Sequence, residues 1–208
     1  MIRRITMTLT YITFPLMFIL LLCAKPIFVL LYSDRWLQSV PYFQVLCLAG
    51  LAYCLQSANL QSIAAIGKSR TMFLWTLFKR IVGIGFVVGG LILWGMKGLL
   101  VGVVLNTWFS YLVNICLVSK HIGYKWWRQL LDLMPVTVAS IIAAAISYGC
   151  GYLLNFDMYP DGILKLLVYS AIYLGWSFLA KPEAFVYFKS VVDPMISKVR
   201  KRKQKKQL

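Results

Sequence analysis

Residues 5–24 read ITMTLTYITFPLMFILLLCA and carry no charged side chain over 20 consecutive positions. At ~1.5 Å per residue, a helix of about 20 residues crosses the ~30 Å hydrocarbon core of a bilayer. Arg3 and Arg4 precede the run, as basic residues do in a signal peptide, but the run exceeds the ~7–15 apolar residues of such a peptide and LLCAKP offers no small-x-small cleavage site. The stretch therefore predicts a first transmembrane helix, with Pro15 as a kink packed against protein.

The composition extends this conclusion to the whole chain. Of its 208 residues, 61% are apolar and 13% charged, and the mean hydropathy is +0.76. A soluble domain is typically ~45–50% apolar and ~25% charged. Soluble enzymes, secreted disulfide scaffolds and DNA-binding domains are therefore excluded. The sequence predicts an all-α, polytopic membrane bundle of six transmembrane helices, at about 5–24, 41–63, 72–94, 98–118, 133–153 and 162–180.

The net charge of +16 is concentrated outside these spans. Seven of the 22 basic residues lie between Lys198 and Lys206. Such a cluster beyond a membrane helix binds anionic lipid and fixes topology, so we expect anionic lipids as partners and no nucleic acid. The tail, 181–208, also places apolar residues at helical spacing. It is either an amphipathic helix on the inner leaflet or mostly disordered.

The charges between the spans predict the orientation of the bundle. If the first span leaves the cytoplasm, the cytoplasmic side holds seven basic residues and the outer side four, with the tail left out. By the positive-inside rule, both termini are cytoplasmic. The seven inner residues are Arg3, Arg4, Lys68, Arg70, Lys120, Lys125 and Arg128.

Residues that carry catalysis or bind metal are scarce. None of the six carboxylates lies in the middle of an apolar run, His121 is the single histidine, and the five cysteines fall inside apolar runs without CxxC spacing. The cysteines are expected to be small buried hydrophobic residues. We therefore expect no catalytic residues, no metal site, no cofactor and no enzyme activity.

Lys79 and Arg80 interrupt the third span and allow two interpretations. In the first, which we favour, this helix begins as an amphipathic stretch on the membrane surface and both side chains extend to the headgroups. In the second, they line an aqueous cavity and attract an anionic substrate. Gly85 and Gly89 follow in the same helix and form a small-xxx-small pair that predicts close helix packing.

Polar residues also recur in the second and fourth spans. Asn106, Ser110 and Asn114 are spaced four apart and lie along one helix face. Gln56 and Asn59 lie in the polar half of the second span and should face protein or water. Interhelical hydrogen bonding is the favoured role of the Asn106 face, and the lining of a polar lumen is the alternative.

Two stretches, FPLMFILLLCAKPIFVLLYSDRWLQSVPYFQVLCLAGL and NLQSIAAIGKSRTMFLWTLFKRIVGI, carry a family resemblance. Their pattern combines a proline in the first helix, a short apolar segment ending in Asp34-Arg35-Trp36, a helix led by Pro41, and Gly67-Lys68-Ser69 before a helix with two adjacent cations. The chain resembles Wzx-type polysaccharide export flippases, of the multidrug/oligosaccharidyl-lipid/polysaccharide exporter superfamily, over residues 10–118.

The resemblance implies a transporter of the bacterial inner membrane that moves undecaprenyl-diphosphate-linked oligosaccharide to the outer leaflet by alternating access between two helical lobes. A diphosphate needs a wet cavity with fixed cations to cross hydrocarbon. Arg80 is suited to bidentate phosphate binding and Lys79 to act as a point charge. The expected substrate-binding residues are Lys79, Arg80, Asn106, Ser110, Asn114, Gln56 and Asn59.

The chain departs from this family in the number of its helices. Family members have about twelve to fourteen, and the resembling segment belongs to their C-terminal half. We therefore expect the C-terminal part of a two-lobed flippase, as a truncated gene product, a split gene or a fragment, that cannot flip lipid without an N-terminal lobe. The alternatives are a non-transporting membrane subunit, such as a partner of other polysaccharide-assembly proteins, a membrane glycosyltransferase or ligase, and a cation-coupled exporter.

Overall fold

The computed structural model describes residues 2–154, 158–180 and 182–187, and over these ranges every regular element is helical. Five helices are long and apolar enough to cross a membrane. The prediction of an all-α fold is therefore confirmed, and five of its helices have the length and composition of membrane spans. The elements are α1 (Ile2–Leu22), α2 (Ala24–Tyr32), a 3-10 turn (Asp34–Ser39), α3 (Val40–Ala65), α4 (Ser69–Ile122), α5 (Trp126–Leu154) and α6 (Met158–Ala180).

Helix α4 accounts for the difference between five helices and six predicted spans. The predicted spans 72–94 and 98–118 are two arms of one 54-residue helix, which bends at Trp94 and Gly95. Gly95 has φ of 60° and ψ of −141°, a backbone conformation that glycine adopts readily because it has no Cβ. The two ends of α4 meet, since Lys68 just before the helix donates a 2.9 Å hydrogen bond to Nδ1 of His121 near its end. The chain therefore reverses direction at the bend. Helix α4 is thus a hairpin of arms 69–93 and 96–122.

Glycines hold the two arms of this hairpin close together. A Cβ on Gly98 would lie 2.8 Å from the carbonyl carbon of Gly90, and one on Gly102 would collide with the carbonyl oxygen of Phe86. Gly85 and Gly89, for which the sequence predicts close helix packing, have nothing within 4 Å of a Cβ position. No part of the chain that the structure describes packs closely on Gly85 and Gly89. The close contacts of the hairpin are instead made by pairs of residues that are equally far from the bend.

Helix α1 is at the centre of the bundle and contacts α3, α5 and α6. Tyr11 Oη shares a 2.8 Å hydrogen bond with Ser177 Oγ, and Tyr173 Oη donates one of 3.0 Å to the Tyr11 carbonyl. Pro15 lies inside α1, where the missing N–H leaves one carbonyl without its intrahelical partner. The α4 hairpin packs on the far side of the bundle, mainly against α3.

The short apolar segment after the first span forms α2. Cys23 Sγ lies 3.5 Å from the carbonyl oxygen of Gly162, and a Cβ on Gly162 would be 2.6 Å from Pro26, so α2 packs against the start of α6. Trp36, in the 3-10 turn that follows, is exposed. An exposed indole beside a membrane helix is suited to the headgroup region.

Candidate functional site

A polar cavity of about 370 Å³ lies between α3 and the two arms of the α4 hairpin. Helix α3 supplies one wall, the first arm a second and the second arm a third. Five of the seven predicted site residues line it: Gln56, Lys79, Arg80, Asn106 and Ser110. Residues that are far apart in sequence meet here because the bend at Gly95 folds one arm onto the other.

Lys79 is one of the residues that line this cavity, and its side chain is buried within the protein. Its side chain is only 5% exposed, and Nζ donates a 2.5 Å hydrogen bond to Oδ1 of Asn114 on the opposite arm. At ~1.5 Å per residue, Lys79 is ~15 Å along the arm from Ser69. The favoured interpretation, in which both cations extend to the headgroups, is therefore wrong for Lys79. Arg80 is exposed at the cavity rim.

Asn114 connects Lys79 to α3. Its Nδ2 donates a 3.1 Å hydrogen bond to the backbone carbonyl of Gln56, while its Oδ1 accepts from Lys79. Asn114 thus bridges both arms of the hairpin and α3. Hydrogen bonding between helices and cavity lining, offered as alternatives for this face, occur together.

Asn106 occupies the space left by a glycine. Its Oδ1 would be 2.7 Å from a Cβ on Gly83, and this oxygen is buried without a hydrogen-bond partner. Thr76 Oγ1, which also belongs to the cavity wall, is buried and unpaired as well. Unpaired buried polar atoms cost about 1–3 kcal/mol each, so both would be stabilised by a hydrogen bond to a buried water.

Asn59 is not part of the cavity. It is fully buried, and its Oδ1 accepts a 2.8 Å hydrogen bond from Nε2 of Gln129 on α5. Its observed contact therefore holds α3 to α5. Gln129 was not among the predicted site residues, because the predicted fifth span began at 133, whereas α5 begins at Trp126.

Six further lining residues were not predicted from the sequence, and helical spacing identifies Tyr53 and Thr76 among them. The six are Tyr53, Ser57, Leu60, Thr76, Val103 and Thr107. Tyr53 is three positions before Gln56, and Thr76 is three positions before Lys79. Side chains three apart share a helix face. Thr107, beside Asn106, completes the polar wall, with its hydroxyl donating to its own helix at the carbonyl of Val103.

A second polar cluster lies at the end of the bundle where α1 and α5 begin. Arg3 donates two hydrogen bonds to Asp132, from Nε at 2.7 Å and Nη2 at 2.8 Å, and Nη2 lies 2.7 Å from Oε2 of Glu183. Tyr124 Oη also donates to Asp132, at 2.6 Å. Burial and this hydrogen bond raise the pKa of Tyr124, so its hydroxyl stays protonated at neutral pH.

The start of the predicted tail is attached to this cluster. Residues 183–187 form a helical turn in which Phe185 packs 6.0 Å from the Tyr11 ring, and Arg4 lies 5.1 Å from the centre of the Tyr187 ring. These residues therefore pack against protein. Lys181 and residues 188–208, including the basic cluster, are outside the described residues.

Among the described residues, no three of the His, Cys, Asp and Glu side chains are grouped so as to hold a metal ion. Cys23 and Cys47 are buried as predicted, Cys54 and Cys150 are partly exposed, and Cys116 is exposed on α4. An exposed thiol on an apolar helix is unremarkable in a membrane protein, because lipid can cover that face.

In comparisons with known proteins, no family model, no curated protein and no solved structure matches the chain. The fold by itself defines a helical membrane protein with a polar cavity between α3 and the α4 hairpin.

Proposed function

We propose that this chain is the C-terminal part of a polysaccharide export flippase and that the cavity between α3 and α4 holds the diphosphate of a lipid-linked oligosaccharide. The observation that supports this proposal is the placement of Lys79, a buried cation among the residues that line the cavity, with the exposed Arg80 at the rim. The sequence resemblance supplies the identity of the substrate, undecaprenyl-diphosphate-linked oligosaccharide.

The energetic argument begins with the cost of burying a cation. An ammonium group removed from water loses several kcal/mol of solvation, which a single neutral amide partner offsets only in part. Lys79 has three donors, and its side-chain hydrogen bond to Asn114 uses one of them. An anionic phosphate entering the cavity would supply both opposite charge and acceptors. A cation kept at this cost is therefore suited to binding an anion.

We propose six membrane crossings, with each arm of α4 crossing once. The arms contain about 25 residues each and are ~37 Å long, more than the ~30 Å of hydrocarbon. The contacts of Arg3 with Asp132 and of Lys68 with His121 bring the ends that carry the basic residues to one side of the bundle. By the positive-inside rule, this side and both termini face the cytoplasm of a bacterial inner membrane.

A membrane-impermeant thiol reagent tests this orientation. A cysteine placed at Asp157, between α5 and α6, is expected to react in intact cells when the native cysteines are replaced. A matched cysteine at Lys125 should react only after permeabilisation. If the cysteine at Asp157 reacted only after permeabilisation, the proposed orientation would be reversed.

On this proposal the chain works with an N-terminal lobe, and anionic lipids are partners of the tail. Alternating access requires two lobes that move relative to each other, and the chain resembles one of them. A non-transporting assembly partner remains the alternative function. Such a partner would have no need of the cavity cations, so their removal distinguishes the two.

The decisive experiment replaces both cations, as Lys79→Gln with Arg80→Gln, in the transporter assembled with its N-terminal lobe. Export is expected to be abolished, because the uncharged amides of the two introduced glutamines cannot neutralise a diphosphate. The matched control is Lys97→Gln with Lys120→Gln, which removes two exposed charges of the same helix outside the cavity. Surface glycan and the amount of protein in the membrane are measured together. Unchanged export at normal protein level would refute the proposal.

A further inference from the structure

The polar cluster at Arg3 has a cavity on each side, and the two cavities differ in chemistry. The first, of about 410 Å³, is lined by polar groups: Arg3, Tyr124, Arg128 and Asp132, with Leu131. The second, of about 310 Å³, shares Arg3, Leu131 and Asp132 with the first and continues along apolar side chains, among them Met7, Pro135 and Trp176. A cavity with charged walls thus adjoins a cavity with mostly apolar walls.

The charges of the first cavity leave one cation without a partner. Asp132 receives two hydrogen bonds from Arg3 and one from Tyr124, which occupy its carboxylate oxygens. Arg3 is shared between Asp132 and Glu183, so these three side chains together keep one negative charge. Arg128 is exposed on the cavity and forms no ion pair within the described part of the chain. The cavity therefore presents an unpaired guanidinium.

Two further cations beside the cluster add to the positive charge around Arg128, which favours the binding of an anion. Lys125 lies over the ring of Trp127, 5.7 Å from its centre, and Arg4 lies over Tyr187. Basic side chains and indoles together are typical of a surface that meets phospholipid headgroups. A free phosphate would use the guanidinium but not the apolar compartment beside it.

We propose that the paired cavities between α1, α5 and α6 bind one anionic phospholipid, with its phosphate at Arg128 and an acyl chain along Met7, Leu131 and Trp176. The carboxylates do not prevent this, because Arg3, Arg4, Lys125 and Arg128 carry four positive charges against the two negative charges of Asp132 and Glu183. The site is separate from the cavity at Lys79 and does not depend on the flippase proposal.

The test measures lipid retained by the purified full chain in detergent, by native mass spectrometry, with phosphatidylglycerol or phosphatidylcholine added at equal concentration. Phosphatidylglycerol is expected to be retained preferentially. Arg128→Gln should weaken its binding roughly fivefold, the effect of removing about one surface charge. Since Arg128 forms no described ion pair, this variant should fold, which its melting temperature checks.

The matched control is Arg70→Gln, an exposed arginine at the start of α4 that lines neither cavity. Its binding should equal that of the unmodified chain. Competition by inorganic phosphate distinguishes the two sources of the anion. Equal loss in both variants, equal retention of the two lipids, or full displacement of phosphatidylglycerol by millimolar phosphate would each overturn the proposed phospholipid site.

Discussion

Replacing Gly98 with alanine is expected to disrupt the α4 hairpin. The new methyl group would collide with the carbonyl of Gly90 and lie 2.9 Å from Cβ of Trp94, atoms that no side-chain rotation can move. Overpacking against backbone costs about 3 kcal/mol or more. Because the cavity depends on the close approach of the arms, this variant should lose ligand binding at Lys79 as well as stability. Unfolding of the purified protein in detergent, followed by tryptophan fluorescence, measures the change.

Gly85→Ala is the matched control for this substitution. It makes the same chemical change within the same helix, at a position with nothing within 4 Å of the new methyl group. Alanine favours helix over glycine by up to ~1 kcal/mol, so this variant should be as stable as the original or slightly more so. Equal destabilisation by the two variants would contradict the hairpin geometry.

Replacing Asn114 with leucine is expected to destabilise the protein by about 3 kcal/mol. The substitution removes the acceptor of Lys79 and leaves an ammonium group 5% exposed with no side-chain partner. Adding Lys79→Met should restore part of the loss, because two apolar side chains then face each other. The double variant should therefore be more stable than Asn114→Leu alone, by roughly 1–2 kcal/mol.

Thr107→Val provides the control for this pair of substitutions. Thr107 also lines the cavity, but its hydroxyl donates within its own helix, so its removal unpairs no charge and should cost under ~1 kcal/mol. Free energies of unfolding for the three variants and the unmodified protein complete the comparison. A double variant that is no more stable than Asn114→Leu would show that Lys79 is not buried against Asn114.

The candidate cavity shows which features of a site helical spacing can predict and which it cannot. The four-residue spacing of Asn106, Ser110 and Asn114 correctly placed them on one face of a helix, and the sequence named Lys79 and Arg80 as the unusual cations. It could not show that Lys79 meets Asn114, 35 positions later, because that contact depends on the reversal at Gly95. Asn59 was grouped with these residues by polarity, and only its contact with Gln129 separates it from the cavity.

The glycines illustrate the same limit. A small-xxx-small pair such as Gly85 and Gly89 identifies a helix face that permits close approach, but not whether another helix lies against it. In the hairpin, the contact falls at residues equally distant from the bend, Gly90 with Gly98 and Phe86 with Gly102. Locating the bend at Trp94 is therefore enough to assign the contacting residues.

The sequence by itself determined that this chain is a helical membrane protein, because the transfer of apolar side chains into hydrocarbon acts on each run of ~20 residues independently of the others. It also located the charges between the runs. Only the tertiary structure decided which polar groups meet: Lys79 with Asn114, Arg3 with Asp132, and Asn59 with Gln129. Such pairs depend on the distances between helices, which the order of residues along any single helix does not contain.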